Sequence, residues 1–180
     1  MEINQMASSI VSYATDVIKI NRISNDIWYR KPEGARRGPW NSGIFEFVNE
    51  EVWNKSAPCM YFVSDCDQMT KYVGISANRL KDRWRLSPSY DSNLSPLKKR
   101  ELFHSQCWPK ICAEHRAGNY KQHKVSVLHS AGMGAALEAV GSGIIDKNDL
   151  NTQMNIRKSF SDVESWFIKN LSDQLWNIKL

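Results

Sequence analysis

The sequence predicts a small mixed α/β (α+β) domain with a central, mainly antiparallel three-stranded sheet flanked by helices. Three observations carry this. Short alternating runs at 61–64, 71–75 and 123–129 read as strands, longer runs with apolar residues three and four apart read as helices, and polar turns separate them. With 180 residues, 42% of them hydrophobic, the chain has material for one core plus embellishments, and wholesale disorder is not expected.

The first 22 residues are expected to form a helix, because Ile10, Val11, Tyr13, Ala14, Val17 and Ile18 recur at helical spacing. The segment YRKPEGARRGPW (29–40) then reads as a basic loop, with Arg30, Lys31, Arg36 and Arg37 set among two prolines and two glycines. GIFEFVNEEVW reads as a strand or a short helix, and Pro58 closes this N-terminal extension, residues 1–57.

The compact block, 58–157, opens with two strands joined by a turn at Asp65–Gln68. If Ser64 pairs with Met69, Tyr61 falls directly opposite Tyr72, with Cβ atoms about 5 Å apart on one face. Gly74 then offers bare backbone on that face where a ligand could approach. Asn78 is placed to cap a helix over 79–85, LSPSYDSNLSP is a loop, and LKKRELFHSQCW is helical. After the third strand, AGMGAALEAVGSGIID makes a small-residue helix with one acid, Glu138, in its middle. The C-terminal segment, 158–180, is an amphipathic helix started by a Ser161–Glu164 capping box. Its face of Val163, Trp166, Phe167, Leu171, Leu175 and Ile178 is expected to pack on the domain.

Several classes are excluded or disfavoured. No run of about 18 apolar residues exists, so no membrane span is expected. The polar N-terminus does not read as a secretory segment, so a cytoplasmic location with reduced cysteines is the expectation. His104, Cys107, Cys112 and His115 form an H-x2-C-x4-C-x2-H arrangement that zinc could use. Its spacing matches no common finger and Pro109 interrupts it, so half-buried helical cysteines are the preferred reading. A net charge of +5 permits nucleic-acid binding without demonstrating it. Arg30, Lys31, Arg36, Arg37, Arg79 and Arg85 are the candidate DNA contacts, with Tyr29 and Trp40 as stacking surfaces.

On geometry alone, Tyr61 and Tyr72 read as an aromatic pair stabilising a hairpin. The order of residues around them adds a second reading. Met60-Tyr61-Phe62, Tyr72-Val73-Gly74 and Leu80-x-x-Arg83-Trp84, followed by Glu138 in a helix and Asn155 in LNTQMNIRKS, together resemble the GIY-YIG nuclease family over roughly 58–157. The first motif departs from the family, since Cys59-Met60 stands where Gly-Ile is usual. The His or Tyr that relatives place one turn after the arginine is replaced by Ser87, so Tyr90 or His104 must serve. Asn151 lies closer to the usual glutamate-to-asparagine interval, while Asn155 sits in the better-matching local sequence.

The resemblance implies metal-dependent endonucleolytic hydrolysis of DNA, of a restriction or mobile-element kind. Glu138 would hold a single Mg²⁺ or Mn²⁺, Tyr72 would act as general base, and Tyr61 would hydrogen-bond the attacking water or the phosphate. Arg83 would grip the scissile phosphate, Tyr90 or His104 would orient or relay protons, and Asn155 would brace the site. Cutting both strands would call for a homodimer, with one site per strand. Two alternatives stay open: a nuclease toxin held by an inhibitor protein, and a nucleic-acid-binding module without catalysis.

Overall fold

The structure, a computed structural model, describes residues 2–30, 38–97, 102–140 and 153–177. Helix α1 (Ile3–Ser12) leads into strands β1 (Thr15–Trp28) and β2 (Trp40–Phe47), then helix α2 (Glu50–Asn54). Strands β3 (Cys59–Asp65) and β4 (Thr70–Ser76) form a hairpin, followed by α3 (Leu80–Arg83), β5 (Arg85–Ser87) and β6 (Leu102–His104). Helix α4 (Trp108–Arg116), strand β7 (His123–His129), and helices α5 (Ser130–Val140) and α6 (Gln153–Asn170) complete the described chain. Every pairing in the main sheet is antiparallel, in the order β2-β1-β7-β3-β4, and β5 and β6 form a separate two-stranded ribbon.

The mixed α/β class is as expected, but the sheet has five strands rather than three. The three expected strands are β3, β4 and β7, adjacent in the order β7-β3-β4. The extra two come from the N-terminal segment. Residues 15–28 pair with β2 and β7 instead of continuing α1. Val17, Ile18, Ile20 and Ile23 are β-branched, which suits a pleated surface, and all four are buried. Their spacing fits a helix as well as a strand, so long-range pairing decided the outcome. GIFEFVNEEVW divides between the two readings, its first part ending β2 and its second forming α2.

Two further helices differ from expectation. The helix over 79–85 is a single turn, Leu80–Arg83, with Arg79 rather than Asn78 at its N-cap. Trp84, fully buried, pulls the chain into the core, and Arg85–Ser87 then pairs with Leu102–His104. That pairing also converts the middle of LKKRELFHSQCW into a strand, and α4 begins only at Trp108, with Pro109 in its first turn. The C-terminal helix starts at Gln153, so the Ser161–Glu164 pair lies inside it and caps nothing.

Strand β3 is buried on both faces and divides two cores. Tyr61 and Val63 point to one side, among Trp84, Phe103, Trp108 and Ile111. Met60 and Phe62 point to the other, against Ile10 of α1, Met133 and Leu137 of α5, and Val163 and Phe167 of α6. Beyond α6, Leu171 and Leu175 are buried in this second core, while Ile178 lies outside the described residues. No helix among the described residues is long and apolar enough to cross a membrane.

Candidate active site

The β3–β4 hairpin positions the two tyrosines. Its turn is held by the Asp65 carboxylate, which accepts from the backbone N–H groups of Asp67 and Met69, both at 3.0 Å, while Gln68 takes φ 63°. Ser64 pairs with Thr70, and a bulge between this pair and Val63↔Tyr72 makes Lys71 the extra residue. Tyr61 therefore lies opposite Gly74, not opposite Tyr72. The register differs from the expected one by two positions, which preserves the face. The rings meet diagonally, stacked at 25° with centroids 6.0 Å apart.

This register gives Gly74 a packing role as well. A Cβ there would sit 2.5 Å from Cζ and Oη of Tyr61. The bare backbone makes room for the Tyr61 ring, and Gly74 also lines the polar cavity around the phenols.

Around the phenols lies a polar cavity of about 340 Å³. Arg83 enters it from α3, its Nε donating to the Ile75 carbonyl at 3.1 Å. His104, Ser105 and Gln106 line it from the end of β6, and the Tyr72 hydroxyl donates to Gln106 Oε1 at 3.2 Å. Two carboxylates face it, Asp82 and Glu164. Asp82 is engaged with Arg79, whose Nε lies 2.8 Å from Oδ1. Glu164 is half-buried, and burial raises its carboxyl above the ordinary range while the Arg83 charge opposes that rise.

Burial also dominates the phenols. Tyr61 is pushed well above the usual tyrosine value, and Tyr72 is pushed up to about 12, with Arg83 pulling against the rise in both. Tyr72 is thus a neutral hydroxyl near pH 7, a donor and an acceptor at once.

Of the residues singled out from sequence, Tyr61, Tyr72, Arg83 and His104 come together here. Glu138 does not. Helix α5 buries Met133, Ala136, Leu137 and Val140 in the core on the opposite side of β3, and Glu138 is exposed. Asn155 sits in the first turn of α6 and does not line the cavity. Tyr90 is bridged through its backbone to Tyr29, with N–H···O distances of 2.9 Å in both directions, and also lies outside the cavity. Arg85 is exposed on β5 and Arg79 is paired with Asp82. Arg30 lies with its guanidinium 4.9 Å above the Trp40 ring. Lys31, Arg36, Arg37 and Asn151 fall outside the described residues.

No family model, curated protein or solved structure matches this chain.

The zinc arrangement does not assemble either: no cluster of three or more His, Cys, Asp or Glu suited to a metal occurs among the described residues. Burial raises the Cys107 thiol strongly and pushes Cys112 up to about 11, and Cys112 Sγ instead faces the Asn41 carbonyl at 3.6 Å. His115 bonds Asn25 Oδ1 at 3.0 Å.

Sequence reasoning missed Glu164, Gln106 and Asn177. Asn177 accepts from Val73 N–H at 3.1 Å and donates to the Val73 carbonyl at 2.8 Å, while Trp176 N–H bonds the Lys71 carbonyl. The C-terminal segment thus covers the outer edge of β4 beside Tyr72.

Proposed function

We propose that this cavity hydrolyses phosphodiester bonds in DNA, and that the chain is a metal-dependent endonuclease on a scaffold resembling the GIY-YIG family. The observation that carries the reading is one polar cavity shared by Tyr61, Tyr72, Arg83, His104 and the Glu164 carboxylate. In chain order, two strand tyrosines, an arginine and a glutamate follow the order of the family's motif residues, with Glu164 in the place first given to Glu138; Asn177, like Asn155, does not line the cavity.

No group of three or more His, Cys, Asp or Glu suited to a metal occurs among the described residues, so a divalent cation would rest on Glu164 alone. Glu164 supplies one carboxylate whose burial disfavours its own charge, so a bound cation would offset that cost. A single carboxylate suits Mg²⁺ or Mn²⁺, which keeps most of its ligand positions for water and phosphate. When bound, the ion supplies charge relief at the phosphoryl oxygens.

The remaining roles belong to the chain. Arg83, anchored through Ile75, presents its planar fork to the phosphate and neutralises charge that grows on the equatorial oxygens. Tyr72 offers its hydroxyl oxygen to the attacking water. To take the water's proton outright it must first lose its own, and Arg83 acts in that direction. Gln106 holds the Tyr72 hydroxyl in place, and Tyr61 packs beneath it. Asn177 fixes the edge of β4 on which Tyr72 is carried. Arg30, Arg79 and Arg85, with Lys31, Arg36 and Arg37, would supply contacts to the DNA backbone.

The test is incubation of purified protein with supercoiled plasmid, with and without Mg²⁺ or Mn²⁺, beside Glu164→Gln and Glu138→Gln. Metal-dependent nicking that drops on the order of 100-fold or more in Glu164→Gln and persists in Glu138→Gln supports the reading. Folded protein that binds DNA and cuts nothing in either metal overturns it and leaves a binding module.

A further inference from the structure

We propose that the C-terminal segment is a strap latched over His123 by Trp176, and that protonation of His123 opens the latch and frees the outer edge of β4. The consequence for the cavity rests on the nuclease reading above; the strap and its latch do not.

Residues 171–177 follow α6 and reach the outer edge of β4. There the Trp176 N–H donates to the Lys71 carbonyl at 2.6 Å, and the Asn177 side chain bonds both backbone groups of Val73. A side-chain amide thus takes the place that a neighbouring strand would fill, and Tyr72 sits between the two bonded residues. Leu171 and Leu175 anchor the near end of the strap in the core. The far end is held by the Trp176 ring. It lies 5.4 Å from the His123 ring, centroid to centroid, and Tyr120 meets the same imidazole at 5.4 Å. The Trp176 indole N–H also donates to the Glu114 carboxylate.

A neutral imidazole suits this aromatic sandwich, whereas an imidazolium fully buried there loses its hydration. Facing the ring are Asp65 of β3, paired with Lys71 of β4, Glu114 of α4, whose Oε2 lies 3.5 Å from Nε2, and Lys121 in the connection before β7. Asp16 and Lys19 of β1 stand at the same end of the sheet, engaged with Lys124 and Glu46. Asp65 and the Lys121 carbonyl favour the charged ring and Lys71 opposes it, but burial outweighs them all and depresses His123 to about 4. Glu114 is already engaged by the indole, so a charged His123 competes with the strap for one carboxylate. Moving Trp176 aside admits water to the ring and releases that carboxylate together. With the strap open, the ring returns to its ordinary value near 6.5. Closure is therefore complete above about pH 6.5 and weakens by about tenfold per pH unit as pH falls toward 4.

The experiment uses the full chain, free of DNA and metal, with amide hydrogen exchange read residue by residue by NMR. Rates are expressed as protection factors, so that the pH dependence of exchange itself cancels. The Val73 amide, which donates to Asn177, reports the strap, and the amides of β3, paired on both edges, report the rest of the fold. Between about pH 6.5 and 4.5, Val73 protection is expected to fall about 100-fold while β3 holds. His123→Phe keeps a ring in the stack but takes no proton, and its Val73 protection should fall by less than about threefold. Trp176→Ala should leave Val73 unprotected already at neutral pH, with no further fall in acid; should His123→Phe not fold, this profile decides. Constant Val73 protection in the unsubstituted protein, loss of β3 protection in step with it, an equally steep fall in His123→Phe, or a protected Val73 in Trp176→Ala overturns the proposal. The two readings fail separately. A strap that opens in acid on a protein that never cuts DNA removes the nuclease alone, whereas an active enzyme whose strap ignores pH removes only the latch.

Discussion

Replacing Gly74 with Ala tests the geometry on which the site depends. The new methyl would lie 2.5 Å from Cζ and Oη of Tyr61, whereas carbon contacts settle near 3.5 Å, so the phenol must retreat by about 1 Å. It has little room to do so, because Tyr61 is buried, stacked on Tyr72, and set edge-on to Trp84 at 6.5 Å. Overpacking of this kind costs about 1–3 kcal/mol. For a chain of this length each kcal/mol moves the melting temperature by about 2–4 °C, so a fall of about 2–12 °C is expected. Elsewhere in a compatible backbone, Gly→Ala stabilises by about 0.4–1 kcal/mol, so even the sign is informative. On the proposed nuclease reading, a displacement of about 1 Å passed from Tyr61 to Tyr72 would cost on the order of 100-fold in rate. Thermal denaturation followed by circular dichroism reads the first effect, and plasmid nicking would read the second if the proposed activity holds. A Gly74→Ala protein that melts no lower would refute the packing of Tyr61 over Gly74, and with it the observed register.

Three other outcomes are expected. Asn177→Ala removes both bonds to Val73, so a loss of about 1–3 kcal/mol and faster hydrogen exchange at the Val73 amide should follow; unchanged exchange would mean that the tail does not hold β4. Glu164→Gln should melt no lower than the unsubstituted protein at neutral pH. Its folded carboxyl is raised, so the stability it contributes is fully present below the unfolded value and already lost once pH rises through the folded one. Mg²⁺ should raise the melting temperature of the unsubstituted protein and leave Glu164→Gln unmoved. His123 is fully buried between Tyr120 and Trp176, and burial depresses it to about 4. A histidine lowered in this way stabilises the fold above its unfolded value near 6.5 and loses that contribution as pH falls toward 4. Melting temperature should therefore drop over that window, and His123→Phe should flatten the drop; an equally steep profile in the variant would assign it to other groups.

Much of the inner sheet was legible because it is written locally. Val125 and Val127 alternate within seven residues, and the β3 and β4 runs flank a turn built by Asp65. β1 was hidden because Val17, Ile18, Ile20 and Ile23 satisfy helical spacing and strand chemistry equally. Only the hydrogen bonds to β2 and β7, from residues far along the chain, separate the two. Ser161 and Glu164 misled for a related reason. A capping box works where backbone N–H groups are unpaired, and inside α6 they are not. Its glutamate was then read as a local device when it faces the cavity instead.

The sequence by itself determined that Tyr61 and Tyr72 share one face of a hairpin, and that a helical turn carrying Arg83 follows. Strand alternation has a period of two, so even a register wrong by two positions leaves both phenols on the same side. The tertiary structure decided which carboxylate joins them. Glu138 and Glu164 each occupy a helix behind the sheet, but α5 leaves Glu138 exposed while α6 brings Glu164 into the cavity at the β4 edge. That choice follows from where Met133, Leu137, Val163 and Phe167 find their packing partners, because burying those side chains fixes the rotation of each helix and so the direction of its acid.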